Sequence, residues 1–203
     1  MRIGIIGTGN IGRTLGKKWI NAGHQVKFGT RNLSKEDTIS FVKSLGSNAS
    51  FSNIKEAIST SEIIVLAIPG SVVQEFFSAY GKDLTGKVII DPSNNINAET
   101  MNSLQYFNKF VEESEYYRAF NSLGWENYDN PTFGTLKADL LYCGSNNKGQ
   151  SKVEQLIKNV GLNPICIGGL EVISIVDSIL GVWFQLALKK GYGRHLAFKV
   201  LKD

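Results

Sequence analysis

The stretch Gly7-Thr8-Gly9-Asn10-Ile11-Gly12 decides how this chain folds, because it fits the pattern G-x-G-x-x-G in the setting that gives the pattern meaning. It directly follows a strand predicted at Ile3–Ile6 and opens a helix predicted from residue 11 to residue 22. In such a turn the first glycine permits the tight bend, the second lets the backbone approach a pyrophosphate, and the third allows close helix–strand packing. The free N–H groups at the start of the helix then face the phosphates.

Short β-branched runs alternate with longer helical patterns along the rest of the chain. The run Ile63–Ile68 is apolar throughout, which is typical of a strand covered on both faces in a parallel sheet. Further strands are predicted at Gln25–Gly29, Ala49–Phe51, Val88–Asp91, Tyr117–Phe120, Leu140–Cys143 and Pro164–Ile167. This alternation predicts an α/β fold of the Rossmann type, with a doubly wound, mostly parallel sheet and right-handed connections.

The last part of the chain reads as purely helical, at Leu170–Leu188 and again at Arg194–Leu201. We therefore predict a dinucleotide-binding Rossmann domain over residues 1–168, and a small helical cap or dimerisation segment over residues 169–203. The late helix is apolar enough to pack against the sheet or against a second copy of the chain.

Composition excludes several classes of protein. The chain has 203 residues, 42% of them hydrophobic and 20% charged, which suits one globular domain with a small appendage. The net charge of +4 is spread out rather than clustered, so nucleic acid is not an expected partner. The apolar stretch Ser178–Leu188 is too short to span a bilayer, and no signal peptide is visible, so we expect a cytoplasmic protein without a membrane partner. Cys143 and Cys166 are expected to be buried core residues in a reducing compartment.

The end of the second strand indicates which dinucleotide binds. An NAD site places an acidic residue there to bond the ribose hydroxyls, but this strand runs into Thr30-Arg31-Asn32. The guanidinium of Arg31 can cover the 2′-phosphate of NADP, while Thr30, Asn32 and Lys35 add hydrogen bonds. A charge-assisted hydrogen bond contributes about 1.5–3 kcal/mol, so we predict a preference for NADPH over NADH of about ten- to a hundredfold.

The ligand of a doubly wound sheet crosses the carboxyl ends of its strands. Three such ends carry small, polar or Pro/Gly residues that suit a cofactor lying against the backbone: Ala67-Ile68-Pro69-Gly70, Asp91-Pro92-Ser93-Asn94-Asn95 and Ala119-Phe120-Asn121-Ser122-Leu123-Gly124. Ordinary turn chemistry accounts for the same residue types.

The sequence contains few of the residue patterns that mark known catalytic sites. No tyrosine is followed four residues later by lysine, and the two histidines, His24 and His195, suit a helix end and a packing role. No cluster of residues has the spacing of metal ligands, so we predict neither a catalytic residue nor a metal site. Direct hydride transfer between two bound carriers fits such a chain, because that reaction needs chiefly juxtaposition.

The sequence resembles the NADPH-dependent coenzyme F-420 (8-hydroxy-5-deazaflavin) reductase family essentially from end to end. The resemblance is carried by the glycine stretch with Gly29-Thr30-Arg31-Asn32 and by three later segments: Arg118-Ala119-Phe120-Asn121-Ser122-Leu123-Gly124, Ala138-Asp139-Leu140-Leu141-Tyr142-Cys143-Gly144 and Gly191-Tyr192-Gly193-Arg194-His195-Leu196-Ala197-Phe198-Lys199. The sheet domain is also similar to the reductase domain of membrane ferric and cupric reductases.

The resemblance implies a role for several positions. Thr8, Asn10 and Ile11 would line the pyrophosphate, and Thr30, Arg31 and Lys35 the 2′-phosphate. The segment Ala67–Pro69 would pack along the cofactor, and Ala119–Asn121 would lie beside the nicotinamide. The implied reaction is reversible hydride exchange between NADP(H) and the deazaflavin, in a homodimer.

The second substrate stays open, because Asp91–Asn95 and the charged residues Glu171 and Asp177 depart from the pattern expected of the family. One alternative keeps the enzyme class but makes FMN, FAD or a ferric chelate the small-molecule redox substrate. Another is a non-catalytic NADP-binding sensor, with which the scarcity of acid–base residues is compatible.

Overall fold

The computed structural model describes all 203 residues, Met1–Asp203. Ten strands form: β1 Arg2–Ile6, β2 Gln25–Gly29, β3 Ala49–Ser52, β4 Ile63–Leu66, β5 Val88–Ile90, β6 Glu115–Arg118, β7 Thr132–Phe133, β8 Leu136–Lys137, β9 Asp139–Gly144 and β10 Asn163–Cys166. Eight α-helices accompany them: α1 Asn10–Asn21, α2 Glu36–Ser44, α3 Ile54–Ser59, α4 Val73–Tyr80, α5 Leu104–Phe110, α6 Trp125–Asp129, α7 Gly149–Val160 and α8 Ile173–Phe184.

Eight of the strands make one sheet in the order β10-β9-β6-β5-β4-β1-β2-β3. The six from β3 to β6 run parallel, and the reversal of strand order beside β1 is the switch point at which such sheets bind ligands. Within this sheet only the pair of β9 with β6 is antiparallel, and β10 then runs parallel to β9. Strands β7 and β8 form a separate antiparallel pair. The predicted α/β, doubly wound, mostly parallel fold is confirmed.

The core lies on both faces of the sheet. One face carries the larger cluster of buried residues, in which Trp19 of α1 donates its indole N–H to the Leu156 carbonyl of α7 at 3.0 Å. The other face is covered by α3, α4 and α5 around Phe77. Leu180 and Trp183 of α8 join the larger cluster, so the late helix packs on the same core as the sheet.

The last residues of the chain differ from the prediction. Arg194–Leu201 is not a helix but an irregular segment, in which Phe198 forms an isolated antiparallel bridge with Asp139 at the start of β9. The carboxylate of Asp139 accepts hydrogen bonds from Lys199 Nζ at 2.6 Å and from the N–H of Val200 at 2.7 Å. The buried carboxylate of Asp139 needs hydrogen-bond partners, and the C-terminal segment supplies them. These contacts outweigh the helical pattern of Arg194–Leu201.

Two further expectations need correction. Cys143 is buried, but Cys166 is exposed, because β10 is the outermost strand of the sheet. The late helical segment is also longer than the apolar stretch considered above. A 3₁₀ turn, α8 and a π turn together span Leu170–Lys189, 20 residues with a mean hydropathy of 1.6, long and apolar enough to cross a membrane by length and composition alone. A core helix of a soluble protein meets the same criterion.

Candidate functional site

The glycine stretch forms a cradle between β1 and α1. Gly7 has a φ of +108°, and a Cβ atom there would lie 2.2 Å from the Ala67 carbonyl oxygen. A Cβ on Gly12 would lie 2.5 Å from the Gly7 carbonyl oxygen, whereas a Cβ on Gly9 would meet nothing within 4 Å. Two glycines are therefore required by the protein itself, and the middle one borders open space where a phosphate can approach the first N–H groups of α1.

Neighbouring side chains fix this cradle from outside. Arg13 on α1 donates from Nε to the Thr8 carbonyl oxygen at 2.9 Å, pairs with Asp37 of α2, and lies over the Phe41 ring at 4.6 Å. The Arg13 guanidinium lowers the pKa of the Asp37 carboxyl below its usual value through the hydrogen bond between them. The Thr8 and Thr38 hydroxyl oxygens are 3.4 Å apart, so the loop is held against α2.

The residues after β2 lie on the surface next to this cradle. The Thr30 hydroxyl accepts a hydrogen bond from the N–H of Asn32 at 3.2 Å, which closes a small turn. Arg31 is exposed and forms no hydrogen bond or ion pair within the chain, while Lys35 lies 3.9 Å from Asp37. Arg31 is therefore a free cation at the expected position for a 2′-phosphate.

Arg31 also borders a small apolar pocket of about 130 Å³ between the ends of β1 and β4 and helix α4. Ile68 and Pro69, both predicted from the sequence, line it. The prediction missed its other walls, which are Ile6, Ile54, Val72, Glu75, Phe76, Ala79 and Tyr80. A small, mostly apolar pocket with an arginine in its lining suits a heteroaromatic ring such as adenine.

A second and larger cleft of about 440 Å³ runs along the carboxyl ends of the strands. Nine of the predicted site residues line it: Gly9, Asn10, Ile11, Ala67, Ile68, Pro69, Ser93, Asn94 and Asn121. The cleft thus joins the phosphate cradle to the ends of β4, β5 and β6, as expected for a ligand crossing the switch point.

Ala119 and Phe120 do not line this cleft, although both are among the predicted site residues. Ala119 is fully buried, and Phe120 packs edge-on against Trp19 and Tyr128 at centroid distances of 5.8 and 5.6 Å. Phe120 has a φ of +61°, an uncommon backbone conformation for a bulky residue. This turn buries the phenyl ring and brings the next residue, Asn121, to the cleft.

Beneath the cleft lies a fully buried cation, Arg118 of β6. Its guanidinium pairs with Asp91 at 3.3 Å and with Asp177 of α8 at 2.7 Å, and it donates from Nη2 to Asn94 Oδ1 at 2.6 Å. Burial alone would lower the pKa of Arg118, but the two carboxylates outweigh it and raise that pKa. The cation therefore stays charged and fixes the Asn94 amide, which in turn donates to the Asn121 carbonyl oxygen at 2.8 Å.

Asp91 accepts further hydrogen bonds in the same buried layer. Its carboxylate accepts hydrogen bonds from the Ser103 hydroxyl at 2.7 Å, the Ser93 N–H at 2.8 Å and the Tyr116 hydroxyl. Burial, followed by the charge of Asp91, raises the pKa of Tyr116 well above its usual value, so this tyrosine is a neutral donor. Asp91 is fully buried among these donors and does not line the cleft, so it is a structural carboxylate.

The far end of the cleft is aromatic. Trp125 at the start of α6 and Trp183 and Phe184 of α8 form its walls. Arg194 lies at the rim, with its guanidinium 5.3 Å from the centre of the Trp183 ring and its Nε 2.6 Å from Glu126 Oε1. His195 points away, because its ring stacks on Phe133 and its Nε2 lies 2.9 Å from the Asn130 carbonyl oxygen.

This aromatic end and the buried ion network were not predicted from the sequence. One signal for the network was available, since Arg118 is the only charged residue of the predicted strand Tyr117–Phe120 and Asp177 is the only charged residue of α8, and buried charges need partners. No sequence signal marks Trp125 and Arg194 as neighbours, because only the folded C-terminal segment brings them together.

Comparison with known proteins agrees with this geometry. Residues 2–95 match a protein-family model described as coenzyme F420-dependent NADP oxidoreductase. Rat metalloreductase STEAP3 is 26% identical over 186 residues, which cover 88% of this chain. The same match covers 36% of STEAP3, so the chain spans little more than a third of that relative's length.

Solved structures share the fold. A candidate F420-dependent NADP reductase from Arthrobacter sp. FB24 superposes with a TM-score of 0.85 over the whole of both chains at 20% identity. A reductive aminase from Aspergillus terreus, in complex with NADPH and ethyl levulinate, gives a TM-score of 0.62 at 17% identity, over 92% of this chain and 64% of the aminase. The resemblance read from the sequence is therefore confirmed over residues 2–95, which match the model of the coenzyme F420-dependent NADP oxidoreductase family.

Proposed function

We propose that this protein transfers a hydride between NADP(H) and a planar redox carrier, with the deazaflavin coenzyme F-420 as the preferred carrier. The observation that carries the proposal is the continuity of the 440 Å³ cleft, which begins at the phosphate cradle and ends at an aromatic wall. One ligand with phosphates and one planar ligand can therefore meet within a single space. Juxtaposition of this kind is the main requirement for hydride transfer between two carriers.

Different residues would contact different parts of the cofactor. Gly7, Gly9 and Gly12 with the start of α1 would receive the pyrophosphate, because the cradle offers backbone N–H groups and open space at its middle glycine. Further contacts would come from the other residues of this loop, Thr8, Asn10 and Ile11.

Arg31, Thr30, Asn32 and Lys35 would hold the 2′-phosphate. The adenine would enter the apolar pocket beside Ile68 and Pro69. Arg31 has no partner within the chain, so its charge is fully available to a phosphate.

The nicotinamide end belongs at the strand ends of β4, β5 and β6. Ala67, Ser93, Asn94 and Asn121 line the cleft there, and the Arg118 network holds the last two in place. When bound, NADPH supplies the hydride from C4 of its nicotinamide. In this proposal Ala119 and Phe120 shape the turn beneath the ring from within the core and do not contact it.

A second candidate is an NADPH-dependent flavin or ferric reductase, in which FMN, FAD or a ferric chelate accepts the electrons. The match to metalloreductase STEAP3 favours it. A third is a sensor that binds NADPH without turnover, favoured by the structural roles of His195, Asp91 and the other titratable groups around the cleft.

We also place the protein in the cytoplasm as a homodimer, with neither membrane nor nucleic acid as a partner. Support comes from α8, whose outer face leaves Ile175 and Val182 more than half exposed although its inner face is buried in the core. A second copy would cover those side chains.

Absorbance-followed oxidation of NADPH tests the proposal, with coenzyme F-420, FMN and ferric citrate as parallel acceptors and NADH as the control donor. Fast reduction of F-420 alone supports the deazaflavin reaction. Reduction of FMN or ferric citrate alone moves the protein to the second candidate. Tight NADPH binding without turnover of any acceptor supports the sensor.

A further inference from the structure

Arg194 is the one charged residue among the nineteen that line the large cleft. The rest of the lining is apolar, aromatic or uncharged polar. Glu126, the carboxylate that pairs with Arg194, does not line the cleft, so the cleft wall presents a cation and no anion to a ligand that binds beside it.

The guanidinium is held in a fixed orientation. It donates two hydrogen bonds to Glu126, from Nε to Oε1 at 2.6 Å and from Nη2 to Oε2 at 3.3 Å. Its Cζ atom lies 5.3 Å from the centre of the Trp183 ring. The backbone is anchored too, since Asn127 Nδ2 donates to the Arg194 carbonyl oxygen at 2.9 Å. Such an arginine loses little conformational entropy when it meets a ligand.

Donors remain free after these contacts. Nη1 of Arg194 has no hydrogen-bond partner within the chain, and 48% of the side chain is exposed. A phosphate or carboxylate at the rim of the cleft can therefore add to the pair with Glu126 rather than displace it.

We infer that Arg194 is a specificity-determining residue that binds the anionic group of the acceptor while the planar ring of the acceptor stacks on Trp125, Trp183 or Phe184. The substrate class is thus a planar heteroaromatic carrier with a phosphate or carboxylate on its side chain. The inference rests on the proposed hydride transfer and adds the feature by which the acceptor is chosen.

NADPH is the other anion in the site, so the test must separate the two ligands. FMN and riboflavin have the same ring system and differ by one phosphate. Coenzyme F-420 and its ring-bearing core without the phosphodiester tail form a second such pair. Dissociation constants for all four follow from quenching of their fluorescence in the presence of NADP⁺, and that for NADPH from a separate titration.

We expect the wild-type protein to bind the phosphorylated member of at least one pair about tenfold or more tighter. Arg194→Gln should bring the two members of that pair to within about twofold, and Arg194→Lys should retain part of the preference. Lys190→Gln, which removes an exposed charge after the π turn, is the matched control and should change neither constant.

Several results would overturn the inference. They are equal binding of both members of each pair by the wild type, an unchanged preference in Arg194→Gln, and a loss confined to NADPH. Failure of all four carriers to bind would also reject it, while the NADPH titration would still test the cofactor site. Thermal melting shows whether Arg194→Gln is folded, and Arg194→Lys supplies the comparison if it is not.

Discussion

Nη2 of Arg118 and a carboxylate oxygen of Asp177 lie 2.7 Å apart, with both side chains at most 8% exposed. This contact joins β6, at the floor of the cleft, to α8, which forms its aromatic wall. Because the same guanidinium also fixes Asn94, the position of the late helix and the floor of the proposed nicotinamide site are set by one group.

Asp177→Ala is therefore expected to lower the free energy of unfolding by about 3–5 kcal/mol, because it leaves Arg118 buried with one carboxylate instead of two. Ser178→Ala, on the exposed side of the same helix, should change stability by less than about 0.5 kcal/mol. Urea denaturation of both variants measures the difference. A loss below about 1 kcal/mol in Asp177→Ala would show that Asp91 alone satisfies the cation.

Arg31→Ala should weaken NADPH binding by about ten- to a hundredfold and leave NADH binding nearly unchanged, because only NADPH carries the 2′-phosphate. Lys17→Ala removes an exposed charge from α1 and serves as the control. Isothermal titration with both nucleotides provides the constants. Equal losses for NADPH and NADH would remove Arg31 from the 2′-phosphate site.

Substitutions of Gly9 and Gly12 in the cradle should affect stability differently. Gly9→Val is expected to fold with an unchanged melting temperature, since a side chain there meets open space, yet to bind NADPH at least tenfold more weakly. Gly12→Val should lose stability as well, because its Cβ would lie 2.5 Å from the Gly7 carbonyl oxygen. Thermal melting combined with NADPH titration separates the two effects. Normal NADPH affinity in Gly9→Val would place the pyrophosphate elsewhere.

The attachment of the C-terminal segment should depend on pH through Asp139. Burial would raise the pKa of this carboxyl, but Lys199, the N–H of Val200 and Asn163 lower it further, so the net pKa lies below its usual value. A group with a depressed pKa contributes stability above its unfolded pKa of about 3.9 and loses it as the pH falls through the folded pKa.

Asp139→Asn is accordingly expected to cost about 1–3 kcal/mol at pH 7, with the difference from wild type shrinking below about pH 4. Denaturant titrations of both proteins from pH 7 down to pH 3 measure it. A difference that stays constant over this range would mean that the charge of Asp139 contributes nothing.

The proposed homodimer can be tested on α8. Replacing both Ile175 and Val182 with Glu should convert a dimer to a monomer, because two charges would then oppose each other across an apolar interface. Leu33→Glu, an equally exposed apolar residue after β2, is the control. Light scattering reports the mass, and a monomeric wild type at high concentration would reject the dimer.

The parts of the fold governed by local pattern were predictable from the sequence. Strand β2, Gln25–Gly29, has the predicted bounds, and the glycine stretch joins β1 to α1 as expected. Strand β6 begins and ends two residues earlier than predicted, because the apolar character of Ala119 and Phe120 reflects a buried turn rather than sheet pairing. Local patterns do not distinguish these two forms of burial.

The candidate site was predictable only in part, for a related reason. The cradle and the strand ends are local features with known geometry, so residues such as Gly9, Ala67 and Asn94 could be located from the sequence. The aromatic wall depends on contacts between α6, α8 and the C-terminal segment, which are far apart in sequence. The helical pattern at Arg194–Leu201 was overridden there by the bridge between Phe198 and Asp139.

That bridge divides the residues of the cleft along the chain. The cradle, Arg31 and the ends of β4 to β6 all precede Arg194 in the sequence, whereas Asp139 holds the segment that carries Arg194 through the residues that follow it, Lys199 and Val200. Loss of those last residues would therefore keep every residue proposed to bind the nucleotide and remove the anchor of the segment that carries the arginine proposed to select the acceptor.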